Sequence, residues 1–431
     1  MSQHQLHLSL PKAALVRLST NDFLWRPLGD LSSFHSSLSP RAEEIGSVPD
    51  ENVELIRLAA LTYLVDRTAP RPGRGWAREL ELVVPVFDPD RWAPVAARVG
   101  ATLAFLTGDD WDVSFIAKRS AARRKVEREV MPFERVSLFS GGADSLCGLL
   151  ASLNAEVVPH LVSHWDWTIV GGAQRRVVGV VNGIVDVRLT RDVIQIGRQK
   201  KQIGSGRIFP SESTSRSRSL LFIALGLAAA SVRGAELWVP ENGFASLNLP
   251  LTGERRGALS TRTTHPRLLD ELQAIASVVG ISARIRNPFE QMTKGEMFRQ
   301  IASDYGAGDA AAVLSSTHSC ARSGANYEGF NPGMHCGVCF GCLVRRAAFA
   351  ASGIDDRTIY IEDSLRATPR KRATWLTNRR EDVAAAEYRT KRPYDAADVL
   401  TASLPARVDP DDALALANRG AAELALVTIP S

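Results

Sequence analysis

A chain of 431 residues exceeds what one compact core usually accommodates, so we expect a large domain with appended regions. Hydrophobic residues make up 45% of the sequence and charged residues 23%, which is ordinary for a globular protein and excludes a disordered or fibrous chain. The net charge of +5, from 52 basic and 47 acidic residues, is too small an excess to indicate nucleic-acid binding by itself.

The sequence also sets expectations for the cellular setting. The N-terminus lacks the basic and apolar segments of a signal peptide, and the apolar run at residues 220–232 is too short to cross a bilayer. Five cysteines, four of them late in the chain, do not suit a disulfide scaffold. We therefore expect a cytoplasmic protein with no membrane partner.

Residues 1–130 are predicted to form an α+β extension that packs on the main domain or on a partner. Alternating hydrophobicity indicates a strand at His4–Leu10 and a stronger one at Glu79–Phe87. Helical apolar spacing runs over Asn52–Asp66, and Asp88–Val99 is a further candidate helix.

Residues 131–355 alternate between strand and helix patterns, which predicts a parallel sheet with crossover helices. The candidate strands are Val136–Phe139, Val157–Ser163, Asp192–Ile196, Glu236–Pro240, Ala283–Arg286 and Val313–Ser316. The candidate helices are Asp144–Leu153, Ala173–Ile184, Ser217–Val232, His265–Val279 and Thr293–Tyr305, the last with a capping box.

A strand, a glycine-rich turn and a helix follow one another directly at residues 135–150. This succession directs backbone N–H groups and the positive end of a helix dipole at one point, which suits phosphate. Asp144 would repel phosphates unless a cation lay between them, so its carboxylate indicates a magnesium-bound nucleotide. The loop matches neither the Walker A sequence nor the dinucleotide-binding turn. The expected nucleotide-binding residues are Phe139, Ser140, Gly141, Gly142, Ala143, Asp144 and Ser145.

Polar residues follow the other predicted strands. Because ligands bind at the carboxyl ends of strands in open α/β sheets, these residues should share one cleft with the glycine-rich turn. They are His164, Trp165 and Asp166 after the second strand, Lys200, Lys201 and Arg207 after the third, and Glu241 and Asn242 after the fourth.

Four cysteines form the second strong motif. Cys320 is followed by Cys336, Cys339 and Cys342 in a C-x2-C-x2-C run. Four thiolates suit tetrahedral zinc, and an iron–sulfur cluster is the alternative. We favour a closed structural zinc site, because nothing else in the sequence indicates redox chemistry. The fifth cysteine, Cys147, is expected to be a small buried apolar residue.

Residues 356–431 are predicted to form a helical tail, with helices near Arg380–Tyr388 and Pro410–Arg419. A basic segment in this tail contains Trp375, so its cations could contact nucleic-acid phosphates while the ring stacks on a base. This segment, like the basic Lys118–Arg128, is alternatively a solvated surface or a docking site for an acidic partner. The basic residues of the tail segment are Arg366, Arg370, Lys371, Arg372, Arg379 and Arg380.

The SGGADS sequence at residues 140–145 resembles the PP-loop of N-type ATP pyrophosphatases, which cleave ATP between its α and β phosphates. Further segments resemble the 7-cyano-7-deazaguanine synthase (QueC-like) family: Arg218–Phe222, Asn287–Phe289, Thr293–Glu296, and the cysteine run followed by Arg345. This resemblance covers about residues 135–355 and implies a Rossmann-like PP-loop fold. The long extension and tail resemble the QueC-like component of the Qat anti-phage defence system, and a related protein accompanies some CBASS systems.

The resemblance also implies a chemistry. The loop at residues 140–145 would hold the β and γ phosphates of ATP, with Asp144 towards Mg²⁺. A carboxylate such as 7-carboxy-7-deazaguanine would attack the α phosphate, and a nitrogen nucleophile would then displace AMP. Arg218 and Lys294 are the candidates for stabilising charge on the transferred phosphoryl group, and together with Asp144 they are the expected catalytic residues. A partner protein from a defence operon is expected beside the small-molecule substrate.

Two departures from the family pattern lie where a substrate would be recognised. Ser219 stands where the family usually has Asn, and residues 241–248 replace its usual acidic loop. The acceptor is therefore open: the acyl group stays on a 7-deazaguanine or passes to an amine on a protein or nucleic acid. The rival functions are a non-catalytic nucleotide-binding scaffold and a sulfur-transferring RNA-modifying enzyme. The second rival usually needs a cysteine pair near the cleft, where only Cys147 lies outside the zinc set.

Overall fold

The computed structural model describes residues 1–427 except for 16–17, 28–29, 72–76, 119–129, 167, 213–215, 253–261, 322–328, 332 and 378–379. Apart from Lys118, the basic segment 118–128 lies outside these residues, as does Arg379. Within the described part of the chain, no helix combines the length and apolar character that a membrane span requires.

A six-stranded sheet in the order β10-β9-β6-β7-β8-β3 forms the centre of the fold. All neighbouring strands are parallel except β3 and β8, which confirms the predicted Rossmann-like architecture. The strand order reverses at β6, and such a reversal is where open α/β sheets bind ligands. The strands are β3 (Phe34–Ser36), β6 (Arg135–Leu138), β7 (His160–Trp165), β8 (Thr190–Arg198), β9 (Glu236–Trp238) and β10 (Ile285–Arg286).

Helices cover both faces of this sheet. Adjacent residues Leu161 and Val162 of β7 belong to different apolar clusters, as the alternation of side chains along a strand requires. The cluster around Val162 includes α2 (Asp50–Thr68), α7 (Arg218–Arg233) and α9 (Pro266–Val279). The cluster around Leu161 includes α5 (Ala143–Asn154), α6 (Thr168–Val181), α10 (Lys294–Tyr305) and α11 (Ala307–Ser316).

The strand predicted at Val313–Ser316 is wrong, because these residues form the last turn of α11. The preceding residues 310–312 are three alanines, the strongest helix formers, and they extend the helix into the short apolar run. Val313 and Leu314 are buried in the cluster around Leu161. A short apolar run alone does not distinguish a strand from a buried helix segment.

The N-terminal region contains a second sheet, with the parallel strand order β2-β1-β4-β5. It shares an apolar cluster with the central sheet, since α2 packs on α7 and β3 pairs with β8. The predicted helix at Asp88–Val99 is divided by a 3-10 turn at Ala93–Val95, where Pro94 lacks an N–H donor. The additional elements are β1 (Ser2–His7), α1 (Lys12–Leu15), β2 (Asp22–Leu24), β4 (Glu79–Val86), α3 (Pro89–Trp92), α4 (Ala96–Thr107) and β5 (Asp110–Ala117).

The C-terminal tail is helical, as predicted, and it shares a third apolar cluster with the four cysteines of the zinc motif. The short helix that follows β9 also belongs to this cluster. The helices concerned are α8 (Gly243–Leu247), α12 (Phe340–Ser352), α13 (Ile361–Ser364), α14 (Pro369–Thr377), α15 (Arg380–Lys391), α16 (Ala396–Leu400) and α17 (Pro410–Leu424).

Candidate functional site

The glycine-rich turn connects β6 to α5 at the point where the strand order reverses. Gly141 adopts a φ of +82°, and a Cβ at this position would lie 2.9 Å from the backbone nitrogen of Gln174. The turn therefore needs glycine there. Gly142 is the N-cap residue of α5 and offers no side-chain acceptor. The first N–H groups of α5 thus remain directed at the turn, the arrangement that favours an anion.

Two serines fix the shape of the turn. The N–H of Gly142 donates to Oγ of Ser140 at 3.3 Å, and Oγ of Ser145 donates to the carbonyl oxygen of Gly142 at 2.9 Å. The two hydroxyl oxygens lie 3.3 Å apart. Phe139 is fully buried beneath the turn, and Ala143 is buried as well. The residues predicted to hold nucleotide therefore form one continuous segment from the end of β6 to the first turn of α5.

Asp144 lies in the first turn of α5 and is held from two neighbouring helices. The Nζ atom of Lys294, the first residue of α10, lies 2.6 Å from Oδ2 of Asp144. Asn242, the N-cap of α8, donates its backbone N–H (3.1 Å) and its Nδ2 (2.9 Å) to Oδ1. The same Nδ2 lies 3.1 Å from Oε1 of Glu241. The predicted Asp144 and Lys294 are thus brought together with both residues expected after β9.

The electrostatics of this group follow from its burial. Burial opposes ionisation of Asp144, but Lys294 and the Asn242 hydrogen bonds outweigh it and hold the pKa of Asp144 below its ordinary value. Burial also disfavours the charge on Lys294, yet Asp144 and Glu241 raise its pKa. Burial and the charge of Asp144 raise the pKa of Glu241 to about 8. Asp144 and Lys294 therefore form an ion pair in which both groups stay charged. Glu241 is a carboxyl group whose ionised form would be favoured by an additional cation.

Arg218, the first residue of α7, lies in a second group at the same sheet edge. Its Nη2 donates to the backbone oxygen of His164 at 3.2 Å. Burial opposes ionisation of Asp166, but Arg218 contributes most to holding the pKa of Asp166 below its ordinary value. Oδ2 of Asp166 accepts hydrogen bonds from the Tyr63 hydroxyl and from Nη1 of Arg67, the latter at 2.8 Å. Helix α2 of the N-terminal region thus adds two side chains to the predicted cleft.

Asp66 of the same helix fixes the start of α7. Its Oδ2 accepts from the N–H groups of Arg216 (2.8 Å) and Ser217 (3.0 Å), and from the Ser217 hydroxyl (2.8 Å). Its Oδ1 lies 2.7 Å from Nη2 of Arg78, which also pairs with Asp109. The side chain of Asp66 is fully buried. The carboxylate thus holds the two residues that directly precede the helix carrying Arg218, and its charge lies at the positive end of the helix dipole.

The four cysteines Cys320, Cys336, Cys339 and Cys342 are buried and converge. Their sulfur atoms all lie within 4.8 Å of one another, with Cys336–Cys342 at 3.8 Å and Cys339–Cys320 at 3.9 Å. Tetrahedral zinc with Zn–S bonds of about 2.3 Å requires sulfur separations of about 3.8 Å, so these residues fit zinc. Because protein thiols would fill all four positions, the arrangement has the form of a closed structural site.

The cysteine cluster is joined to the glycine-rich turn. The N–H of His318 donates to the carbonyl oxygen of Gly141 at 3.0 Å. The N–H of Ser319 donates to Nε2 of His335 at 3.2 Å, and the two histidine rings lie 4.9 Å apart. A Cβ at Gly341 would lie 2.4 Å from the Ser319 carbonyl oxygen, so the close approach requires glycine. The cysteine cluster therefore supports the back of the turn.

Cys147 and the basic residues after β8 lie in different environments. Cys147 is buried, as predicted. Lys200, Lys201 and Arg207 are exposed in the loop after β8.

The stacking role predicted for Trp375 is wrong. Its side chain is only 5% exposed and packs edge-to-face on Phe330, with ring centroids 5.2 Å apart. Arg372 pairs with the carboxylate of the buried Glu362 at 2.6 Å. An indole that fills the apolar cluster of the tail cannot receive a base.

Sequence reasoning missed Tyr63, Asp66 and Arg67, because their partners lie about a hundred residues or more away along the chain. The helical spacing of Tyr63 and Arg67, which places them on one face of α2, was the available signal. It indicates a shared face but not what the face contacts.

The turn at the sheet's switch point, the Asp144–Lys294 pair and the adjoining cysteine centre define a Rossmann-like PP-loop protein. Residues 264–353, which include Lys294 and all four cysteines, match the family described as "Queuosine biosynthesis protein QueC". The chain therefore contains a QueC-like segment.

Individual relatives agree with this match. The chain is 33% identical over 174 residues to the 7-cyano-7-deazaguanine synthase of Cupriavidus taiwanensis, covering 40% of this chain and 66% of that protein. It is 35% identical over 148 residues to the synthase of Cupriavidus necator, covering 34% and 56%. It is 26% identical over 249 residues to the synthase of Myxococcus xanthus, covering 53% of this chain and 98% of that protein. The chain spans less than two thirds of the length of the two Cupriavidus relatives. About half of this chain lies outside its match to the Myxococcus xanthus synthase.

Proposed function

We propose that this chain is an ATP-dependent, QueC-like enzyme that adenylates a carboxylate of the 7-carboxy-7-deazaguanine type and transfers the acyl group to a nitrogen nucleophile. The observation that carries the proposal is the convergence of the glycine-rich turn, Asp144 and Lys294 at one point of the sheet edge. The substrate class is supported by the relatives named 7-cyano-7-deazaguanine synthase.

The residues present fit ATP and Mg²⁺. The first N–H groups of α5 and the hydroxyls of Ser140 and Ser145 suit the β and γ phosphates. Asp144 and Glu241 are neighbouring carboxylates. Burial, and after it the charge of Asp144, raises the pKa of Glu241, and a hard cation beside the pair would favour the ionised form. When bound, Mg²⁺ neutralises charge on the phosphates.

Lys294 and Arg218 stabilise charge on different parts of the reacting ATP. A carboxylate is a poor electrophile, and attack of its oxygen on the α phosphate converts that oxygen into part of a good leaving group. Lys294, beside the turn, stabilises the charge that develops on the departing pyrophosphate. Arg218, at the start of α7, stabilises charge on the α phosphate. The nitrogen nucleophile then forms a C–N bond as AMP leaves with the former carboxylate oxygen and the nucleophile loses a proton.

Product analysis tests this proposal. Purified protein receives ATP, Mg²⁺ and 7-carboxy-7-deazaguanine, with ammonium as the first acceptor, and nucleotides are separated by ion-exchange chromatography. We expect AMP and pyrophosphate in equal amounts, and loss of both with Asp144→Asn but not with Asp112→Asn, an exposed aspartate of β5. ADP with phosphate overturns the proposal, and ATP binding without turnover favours the scaffold.

The biological role forms a narrower proposal. We propose that the chain acts in the cytoplasm as QatC, the QueC-like component of the Qat anti-phage system, with a partner of the QatB type. Its support is the contact of both appended regions with the candidate site. Phage plating on cells carrying the operon should fall only with intact Asp144. Mass spectrometry of partner proteins and nucleic acid would then show whether either bears the acyl group.

A further inference from the structure

The last helix of the tail reaches the start of the helix that carries Lys294. Glu423, near the end of α17, accepts hydrogen bonds on Oε1 from the Thr293 hydroxyl and on Oε2 from the N–H of Gly295 at 3.1 Å. Thr293 is the N-cap of α10 and also makes a capping box with Glu296. Glu423 therefore supplies a second acceptor to a helix start that already has one.

The absence of a Cβ at Gly295 leaves room for the carboxylate of Glu423 beside α12. A Cβ at Gly295 would lie 2.4 Å from Oε1 of Glu423 and 2.9 Å from Cβ of Ala351. Arg419, one turn earlier on α17, holds the same helix through Glu296 at 2.8 Å. Lys294 is only 6% exposed, so its side chain follows the position of this first turn.

The same helix packs on the start of α8, which carries the other partner of Asp144. A Cβ at Gly420 would lie 2.3 Å from the ring of Phe244, and Leu416 lies 2.7 Å from where a Cβ of Gly243 would be. Gly243 follows Asn242 directly, and its N–H donates to the Met292 carbonyl oxygen at 2.7 Å. One helix therefore contacts both segments that hold Asp144.

We propose that α17 is a positioning element of the candidate active site and that Glu423 is its positioning residue. By fixing the first turn of α10, Glu423 keeps the ammonium of Lys294 on Asp144 and in line with the phosphate-binding turn. Glu423 lies beyond residue 353, where the family match ends, so this device belongs to the tail of this chain. The kinetic readout of this inference rests on the proposed function.

The test compares Glu423→Ala and Glu423→Gln with Asp412→Asn, a control at the exposed start of the same helix. Hydrogen–deuterium exchange of residues 292–300 reports the start of α10 independently of any reaction. Steady-state release of pyrophosphate separates kcat from KM for ATP. We expect the alanine variant to exchange faster in this segment only and to lose about 10- to 100-fold in kcat, with KM changed far less.

The glutamine variant retains an acceptor oxygen for Gly295 and should recover most of both losses, while the control variant behaves as the wild type. The proposal is overturned if Glu423→Ala leaves both exchange and kcat unchanged, or if glutamine is as damaging as alanine. If the alanine variant does not fold, hydrogen–deuterium exchange of residues 292–300 is compared between Glu423→Gln and Asp412→Asn, and faster exchange in this segment of Glu423→Gln than of the control supports the positioning role, while equal exchange counts against it. If the wild type shows no turnover, the proposed function fails, and exchange at residues 292–300 still tests the positioning role.

Discussion

Each of the two regions appended to the PP-loop domain places a carboxylate at the start of a helix that carries a candidate catalytic cation, but the two carboxylates have different surroundings. The N-terminal region places Asp66 at the start of α7, which carries Arg218, and the tail places Glu423 at the start of α10, which carries Lys294. Asp66 is fully buried and paired with Arg78, whereas burial of Glu423 raises its pKa and its partners are a hydroxyl and an N–H group.

The surroundings of the two carboxylates extend this difference. The N-terminal region shares an apolar cluster with the central sheet, so its carboxylate belongs to the main core. The tail shares its cluster with the four cysteines and contacts the sheet domain through helix starts. The N-terminal carboxylate should therefore control stability, and the C-terminal one should control the geometry of the site.

Removal of the metal should separate the two regions most strongly. Structural zinc contributes about 10–16 kcal/mol to small zinc-binding peptides, so chelation or Cys339→Ser should loosen the tail while the N-terminal sheet keeps its protection. Hydrogen exchange resolved by region, with metal analysis, measures both effects. Cys147→Ala is the control, since Cys147 lies outside the cluster. Full zinc occupancy in Cys339→Ser, or equal loosening of both regions, would contradict this interpretation.

Asp66→Ala should produce the next largest effect. It leaves Arg78 without one of its two carboxylates and removes the acceptor at the start of α7, which should cost about 3–5 kcal/mol of the free energy of unfolding. Urea unfolding measures the loss against Asp112→Ala, an exposed substitution that should change little. A loss below that of the control would show that the buried network does not support the N-terminal region.

Glu423→Ala should destabilise the chain far less than Asp66→Ala. Loss of an additional acceptor at a capped helix start costs about 1 kcal/mol, because Thr293 and Glu296 keep their own capping hydrogen bonds. The same urea experiment compares the two variants directly. Equal losses would remove the distinction between a stabilising and a positioning carboxylate.

The last expected effect is a pH dependence due to Glu241, which concerns the site between the two appended regions. Its pKa is raised from 4.5 to about 8, so its contribution to stability is complete below pH 4.5 and is lost as the pH rises through about 8. Ionisation over the same range should strengthen Mg²⁺ binding. Calorimetric titration with Mg²⁺ and a non-hydrolysable ATP analogue should show affinity increasing from pH 6 to pH 9. Glu241→Gln should flatten this increase, and an unchanged slope would exclude Glu241 as the titrating group.

The sequence anticipated the parts of the site that local motifs encode. Residues 140–145 combine strand, glycines and helix start within one short stretch, and the C-x2-C-x2-C run encodes its own turn. Both features fold as expected because their geometry depends on neighbouring residues.

The contributions of Asp66, Tyr63 and Glu423 were not predictable, because each acts across 100 or more residues of sequence. Nothing near Glu423 distinguishes it from a solvated helix residue. Trp375 shows the converse: its basic neighbours suggested a stacking surface, but tertiary packing buries the ring. Packing between distant elements decided these positions.

Transfer of oxygen from the substrate to AMP is the most direct test of the central claim. The protein is incubated with ATP, Mg²⁺, an amine acceptor and 7-carboxy-7-deazaguanine in which both carboxylate oxygens are ¹⁸O, and AMP is analysed by mass spectrometry. Adenylation predicts one ¹⁸O atom in each AMP formed, with pyrophosphate unlabelled. AMP without ¹⁸O, or label only in inorganic phosphate, would contradict adenylation of the carboxylate at this site.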